Sequence, residues 1–133
     1  MLGDAMPPSV IVSEHHSNLP EQHEIEAAYL LSEHFNCTVK FLIPVDDFKR
    51  KTPDIMMLGK AWEMKSPTGT SRMTVGNQFK RASAQSSYLV FDARRLKFTD
   101  EIIERRVRYE FSQRQTIKKV ILIKRTTEIV EIN

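Results

Sequence analysis

The stretch Thr52-Pro53-Asp54-Ile55-Met56-Met57-Leu58-Gly59-Lys60-Ala61-Trp62-Glu63-Met64-Lys65 decides how this chain is read. Two short apolar runs are split by Gly59-Lys60, a pattern that predicts a hairpin with strands near 54–58 and 61–65. A two-residue loop with Gly first suits a type II′ turn. That turn sets Leu58 opposite Ala61, Met56 opposite Glu63 and Asp54 opposite Lys65. Side chains alternate along a strand, so Asp54, Glu63 and Lys65 share one face. Ile55, Met57, Trp62 and Met64 turn to the other face, toward a core. Two carboxylates suit a hard cation such as Mg²⁺, and a lysine beside them can steer or deprotonate a water. An exposed hairpin with an Asp54–Lys65 cross-strand pair, worth roughly 0.2–1 kcal/mol, is the plainer explanation. It leaves Glu63 on the same face without a purpose.

Outward from the hairpin, the chain alternates helical and strand patterns. Val10-Ile11-Val12 reads as a short strand or an extended arm. Pro20 opens a helix to about Phe35, with Glu21, Glu24 and Glu26 at its positive end and Ile25, Ala28, Leu31 and Phe35 on its apolar face. Thr38 to Ile43 is a strand, and Pro44 to Thr52 a charged loop. Ser66 to Ser71 is a turn with Pro67 and Gly69. Helices follow near 74–86 and 100–113, the second capped by Thr99. Between them Ser87 to Asp92 reads as a buried strand. Lys119 to Lys124 and Thr127 to Ile132 read as a closing pair of strands. This order predicts an α/β chain of the α+β kind, a mixed central sheet flanked by helices.

At 133 residues the chain fits one domain, 1–133, with residues 1–8 frayed. No apolar run approaches the roughly 18 residues that suggest a membrane span, and Met1 to Pro8 has no signal-peptide character. Cys37 is the only cysteine and reads as structural. The net charge of +3 is unevenly spread. Residues 1–36 carry six acids and no Lys or Arg, whereas residues 94–125 carry eleven Lys or Arg against four acids. That asymmetry predicts a basic surface for phosphates, or else an ordinary solvated helix face. Arg105, Arg106 and Arg108 spread over more than half a helical turn, so one or two of them would dominate.

The pieces Pro53-Asp54 and Glu63-Met64-Lys65 resemble the PD-(D/E)XK nuclease superfamily. More narrowly, roughly residues 20–93 resemble the tRNA-nuclease toxin domain at the C-terminus of CdiA, the contact-dependent growth-inhibition protein. The matching segments are Glu24-Ile25-Glu26-Ala27-Ala28, Pro53-Asp54-Ile55 and Trp62-Glu63-Met64-Lys65-Ser66-Pro67, then a Gly/Thr loop and a helix ending near Gln85. The resemblance implies a restriction-endonuclease-like α-β-β-β-α-β core. It implies Asp54, Glu63 and the Met64 backbone carbonyl as ligands of Mg²⁺, with Mn²⁺ as the substitute ion. Lys65 would activate the attacking water, and Glu24 or its competitor Glu26 would supply a further acid. Gln85 would reach the site from its helix, although Gln85-Ser86-Ser87-Tyr88 is one residue short of the Q-x-x-x-Y pattern of some members. Tyr88 is therefore read as a core strand residue.

Lys80, Arg81, Ser66, Thr68 and Arg105 are the candidate phosphate contacts. Ser66 and Thr68 read equally as local turn caps. His15, His16, His23 and His34 have no zinc-ligand spacing, and His15-His16 as a metal-free general base is the less favoured chemistry. No nucleophile elbow is present. The function expected is a metal-dependent nuclease, most concretely an RNase acting on tRNA. An endodeoxyribonuclease or a catalytically silent nucleic-acid-binding domain are the alternatives. The resemblance further implies a cognate immunity protein. It also implies action in the cytoplasm of a target cell after delivery by a larger secreted protein.

Overall fold

The computed structural model describes residues 9–12, 19–43 and 54–133. The frayed start, His15-His16, the charged loop and Pro53 lie outside the described residues. The rest forms β1 (Ser9–Ile11), α1 (Gln22–Phe35), β2 (Thr38–Phe41), β3 (Ile55–Met57), β4 (Lys60–Lys65), α2 (Thr74–Ser83), β5 (Tyr88–Asp92), α3 (Asp100–Ser112), β6 (Lys119–Ile123) and β7 (Ile129–Ile132). The seven strands lie side by side in sequence order. β1 runs parallel to β2, β2–β3–β4 is an antiparallel meander, β4, β5 and β6 are parallel, and β7 returns antiparallel. The expected mixed sheet flanked by helices is what forms, and Ser9–Ile11 is a strand rather than an arm.

The sheet separates two cores. Ala27, Ala28 and Leu31 of α1 pack with Ile55, Met57, Trp62, Met64, Val90, Ile121 and Ile123 on one face. Val75 and Phe79 of α2 and Ile103 and Val107 of α3 pack with Leu89, Phe91, Val120 and Leu122 on the other. β5 and β6 are apolar at successive positions because both of their faces are covered.

Local signals place the helix ends. Glu24 Oε1 accepts the Glu21 backbone N–H at 2.9 Å, satisfying a donor that the first turn leaves free. Asn36 closes α1 in the left-handed region at φ 50°, a conformation that asparagine tolerates. Thr99 caps α3 through its hydroxyl, which accepts the Ile102 N–H at 3.3 Å. α2 stops at Ser83, three residues before its expected end, so Gln85 lies in the turn that enters β5.

The hairpin differs from expectation in a way that shapes the site. Ile55 pairs with Trp62, Met56 with Ala61 and Met57 with Lys60, so the turn is Leu58-Gly59 rather than Gly59-Lys60. Both turn residues have positive φ, 54° and 74°, the requirement of a type I′ turn, whose twist matches that of paired strands. Each residue therefore pairs two positions earlier on β4 than expected. An even shift preserves the faces, so Ile55, Met57, Trp62 and Met64 still point into the α1-side core.

Candidate active site

β4 delivers Glu63 and Lys65 to the sheet face opposite Trp62 and Met64. In the parallel pairing with β5, Glu63 is registered with Leu89 and Lys65 with Phe91, both of which belong to the α2/α3-side core. Glu63 is buried, at 3% exposure, whereas Lys65 reaches the surface region beside α2. A charged residue at such depth needs partners or a purpose.

The two-residue shift of register brings Asp54 opposite Glu63 instead of Lys65, and the backbone at Asp54 then departs from the regular ladder. The Asp54 N–H donates to the Trp62 carbonyl at 3.0 Å, although Trp62 is registered opposite Ile55. Two residues of one strand thus oppose one of its neighbour, which bends the strand and re-aims a side chain. Asp54 Oδ2 then accepts the Met64 N–H at 2.8 Å. No Asp54–Lys65 ion pair forms among the described residues. Asp54 lies against Glu63 and Met64 instead, and the expected cross-strand pair is replaced by a carboxylate pair.

Burial first, then the adjoining Asp54 carboxylate, pushes the Glu63 carboxyl up to about 8. Lys65 and the Met64 N–H pull in the opposite direction and are outweighed. Glu63 Oε2 is buried without a hydrogen-bond partner. A buried orphan oxygen beside a second carboxylate fits a hard cation, which would replace the proton that Glu63 otherwise keeps. No group of three or more His, Cys, Asp or Glu residues able to hold a metal occurs among the described residues. An ion here would thus have two carboxylates, with the Met64 carbonyl, water and substrate oxygens completing its shell, as suits Mg²⁺.

α2 covers this floor with cations and amides. One depression of about 540 Å³ is lined by Lys65, Asn77, Lys80, Arg81, Ala84 and Gln85. A second, of about 420 Å³, shares Lys65, Asn77 and Arg81 and adds Met64, Ser66, Thr68 and Gln78 among its walls. Gln85 Oε1 is a further buried acceptor without a partner. The structure therefore brings Asp54, Glu63 and Met64 together on the sheet, and Lys65, Ser66, Thr68, Lys80, Arg81 and Gln85 around the two depressions. Asn77 and Gln78 were missed by the sequence reading. Asn77 and Arg81 are four apart on α2, a spacing that places residues on one helical face and could have revealed Asn77.

Three candidates stand apart. Glu24 is engaged in capping its own helix, which packs on the opposite sheet face. Glu26 lies 4.0 Å from Arg94 instead of joining the carboxylate pair. Arg105 belongs to α3 and lines a separate groove with Arg72 and Tyr109. Tyr88 packs on the α1-side core against Trp62, at 5.3 Å between ring centroids, as a strand residue should.

Much of the basic stretch is internally paired rather than presented. Arg108 bonds Glu104 at 2.9 Å, Arg114 bonds Glu110 at 3.0 Å, Lys119 bonds Glu131 at 2.7 Å and Lys124 bonds Glu104 at 2.9 Å. Arg94 holds the fully buried Asp92 at 2.8 Å and also donates to the His23 carbonyl at 2.7 Å, tying β5 to the start of α1. Arg95 donates to the Ser66 carbonyl, fixing the chain directly after Lys65. These two tethers escaped the sequence reading because arginines in a basic stretch look alike until the fold supplies their partners.

Residues 51–129, a span that includes both carboxylates, Lys65 and the whole α2 wall, match the model of the contact-dependent growth inhibition CdiA C-terminal domain family. The chain belongs to that family. Among solved structures it is similar to a chain of the CdiA-CT/CdiI toxin and immunity complex from Burkholderia pseudomallei, with a TM-score of 0.63 and 17% identity over 94% of this chain and 98% of that one. At that identity the likeness shows a shared fold, over more of the chain than the family match covers. Comparison with curated proteins gives no match. No helix among the described residues is long and apolar enough to cross a membrane.

Proposed function

We propose that this CdiA C-terminal domain is a toxin that hydrolyses RNA, with tRNA as the favoured substrate, at the Asp54–Glu63 carboxylate pair. One observation carries the reading: Glu63 is buried with an orphan oxygen beside Asp54, two residues before Lys65, which lines one depression with Lys80 and Arg81. A fold does not bury Glu63 beside a second carboxylate for stability, because burial and the Asp54 charge both disfavour its charged form.

Mg²⁺ is the proposed cofactor, held by Asp54, Glu63 and the Met64 carbonyl; when bound it would polarise a phosphoryl oxygen and acidify a coordinated water. Lys65, on the same face, is placed to orient that water and to offset charge on the phosphate. Arg81 and Lys80 flank the same opening and suit the neighbouring backbone phosphates. Gln85, with a buried unpartnered carbonyl oxygen, can accept from the water or from a ribose hydroxyl. Asn77, Ser66 and Thr68 add neutral donors along the wall.

The similar Burkholderia protein is described as a toxin in complex with its immunity protein. For this chain we infer the same arrangement: delivery into a target cell's cytoplasm by a larger protein, and neutralisation by a cognate inhibitor in the producing cell.

The test is incubation of the protein with purified tRNA, total RNA and plasmid DNA, in Mg²⁺ or in EDTA. Mg²⁺-dependent loss of tRNA with intact plasmid is the expected result. Plasmid cleavage with intact RNA would turn the reading to a deoxyribonuclease. Binding without cleavage of any substrate would leave a nucleic-acid-binding domain.

A further inference from the structure

A groove of about 520 Å³ runs between α2 and α3, on the side of α2 away from Lys65 and Gln85. Its walls carry Arg72, Arg105 and Arg106, with Tyr109 and Ile102 between them. Tyr109 is 60% exposed and belongs to neither core. Arg72 and Arg105 are exposed and have no ion-pair partner among the described residues. The acid in the groove, Glu110, is already neutralised by Arg114 at 3.0 Å. Arg106 stacks over Phe98 at 4.6 Å, and its Nη1 is buried without a hydrogen-bond partner. Elsewhere on α3, Arg108 has found a carboxylate, so the absence of one here is local to the groove.

We propose that this groove is a second nucleic-acid subsite, in which one base of single-stranded RNA stacks on Tyr109 while Arg72, Arg105 and Arg106 take the flanking phosphates. An aromatic face between unpaired cations is the arrangement that binds single strands independently of sequence. The planar guanidinium donors match phosphate oxygens, and the surplus of positive charge favours an anionic occupant. The first turn of α2 divides this groove from the active-site depressions: Thr74 and Asn77 line one side, and Val75 and Gly76 the other. A strand crossing that turn would occupy both at once. The subsite thus extends the ribonuclease reading and rests on it for its biological substrate, although the binding itself does not require cleavage.

The probe is a fluorescein-labelled 12-nucleotide single-stranded RNA, titrated with the full chain carrying Glu63→Gln so that it is not cut. Tyr109→Ala should weaken binding roughly 5- to 100-fold, the range for loss of one stacked base, and Tyr109→Phe should restore it. Arg105→Ala should weaken binding and flatten the dependence of log affinity on log salt by about 0.7, one phosphate's worth on a single strand. In the otherwise unaltered chain, Tyr109→Ala should impair cleavage of long RNA more than cleavage of a dinucleotide. Affinity and salt slope unchanged in both alanine variants, with circular dichroism confirming their fold, would overturn the subsite. A lower slope in Arg105→Ala with full affinity in Tyr109→Ala would also overturn it, by showing anion binding without a base. If no substrate is cleaved but Tyr109→Ala still releases the oligonucleotide, the subsite stands and the nuclease reading fails.

Discussion

The Asp54 carboxylate accepts the Met64 N–H at 2.8 Å and at the same time presses its neighbour Glu63 toward the protonated form. Asp54 thus has a backbone donor, while Glu63 is held back from ionising by burial and by its Asp54 neighbour. Such a division is common where carboxylates share a function, and it has measurable consequences.

The first consequence is a pH-dependent cost. The Glu63 carboxyl is raised from 4.5 to about 8 in the folded chain, so between those values the folded state binds more protons than the unfolded one. The associated stability is fully present below about pH 4.5 and is lost as pH rises through about 8. In EDTA, urea unfolding should give a lower midpoint at pH 8 than at pH 5. Glu63→Gln should remove most of that difference and should be the more stable protein at pH 8. An equal fall in both proteins would place the titrating group elsewhere.

A cation that binds this pair must displace the Glu63 proton. Mg²⁺ affinity should therefore rise with pH up to about 8, with net proton release that shrinks above it. Calorimetry in two buffers of different ionisation enthalpy measures the protons released. No release at pH 6.5 would mean that the ion binds without Glu63.

Lys65→Ala should remove most turnover while leaving metal binding measurable, since the role proposed for Lys65 is on water and phosphate rather than on the ion. Because Lys65 lowers the Glu63 pKa, its loss should also move the pH–rate profile upward. A variant that loses metal binding altogether would assign Lys65 to the integrity of the carboxylate pair.

The hairpin shows both what alternation in a sequence fixes and what it leaves open. Ile55, Met57, Trp62 and Met64 had to share a face because no other assignment buries them together, and any even shift of register preserves that. The position of the turn was not legible, because Gly59 can stand first in a type II′ turn or second in a type I′ turn. The bulge at Asp54 was hidden for a similar reason: it comes from one backbone N–H sharing the Trp62 carbonyl, not from a side-chain pattern. The capping role of Glu24 was not legible, because an acid in a first helical turn looks the same whether it caps the helix or serves a site. The α2 wall was half legible: Lys80, Arg81 and Gln85 stood out by charge or resemblance, whereas neutral Asn77 needed the helix to be placed.

The turn itself offers a stability test. Leu58 has φ of 54°, a region that costs a branched L-residue about 1–2 kcal/mol, and its side chain is 46% exposed. Asn is preferred in a type I′ turn before Gly, so Leu58→Asn should stabilise the protein by about 1 kcal/mol. Chemical denaturation checks it, and a destabilised variant would show that Leu58 contributes packing that its exposure conceals.

The Asp92–Arg94 pair should be far less tolerant. Arg94→Met leaves the buried Asp92 without its cation and should cost about 3 kcal/mol, near the lower end for a broken buried pair because the Arg94 N–H still donates to it. Unfolding in urea reads the loss. A change below about 0.5 kcal/mol would mean that water supplies what Arg94 gives up.

The most direct test of the central claim is the rate of tRNA cleavage in Mg²⁺ by the parent chain and by Glu63→Gln, compared at matched folded fraction. Glu63→Gln preserves volume and removes only the charge that would bind the ion. Mg²⁺-dependent cleavage by the parent is expected, abolished by EDTA and reduced at least 100-fold in the variant, whose fold is intact and at pH 8 more stable. Cleavage by a folded Glu63→Gln at the parent's rate would contradict it.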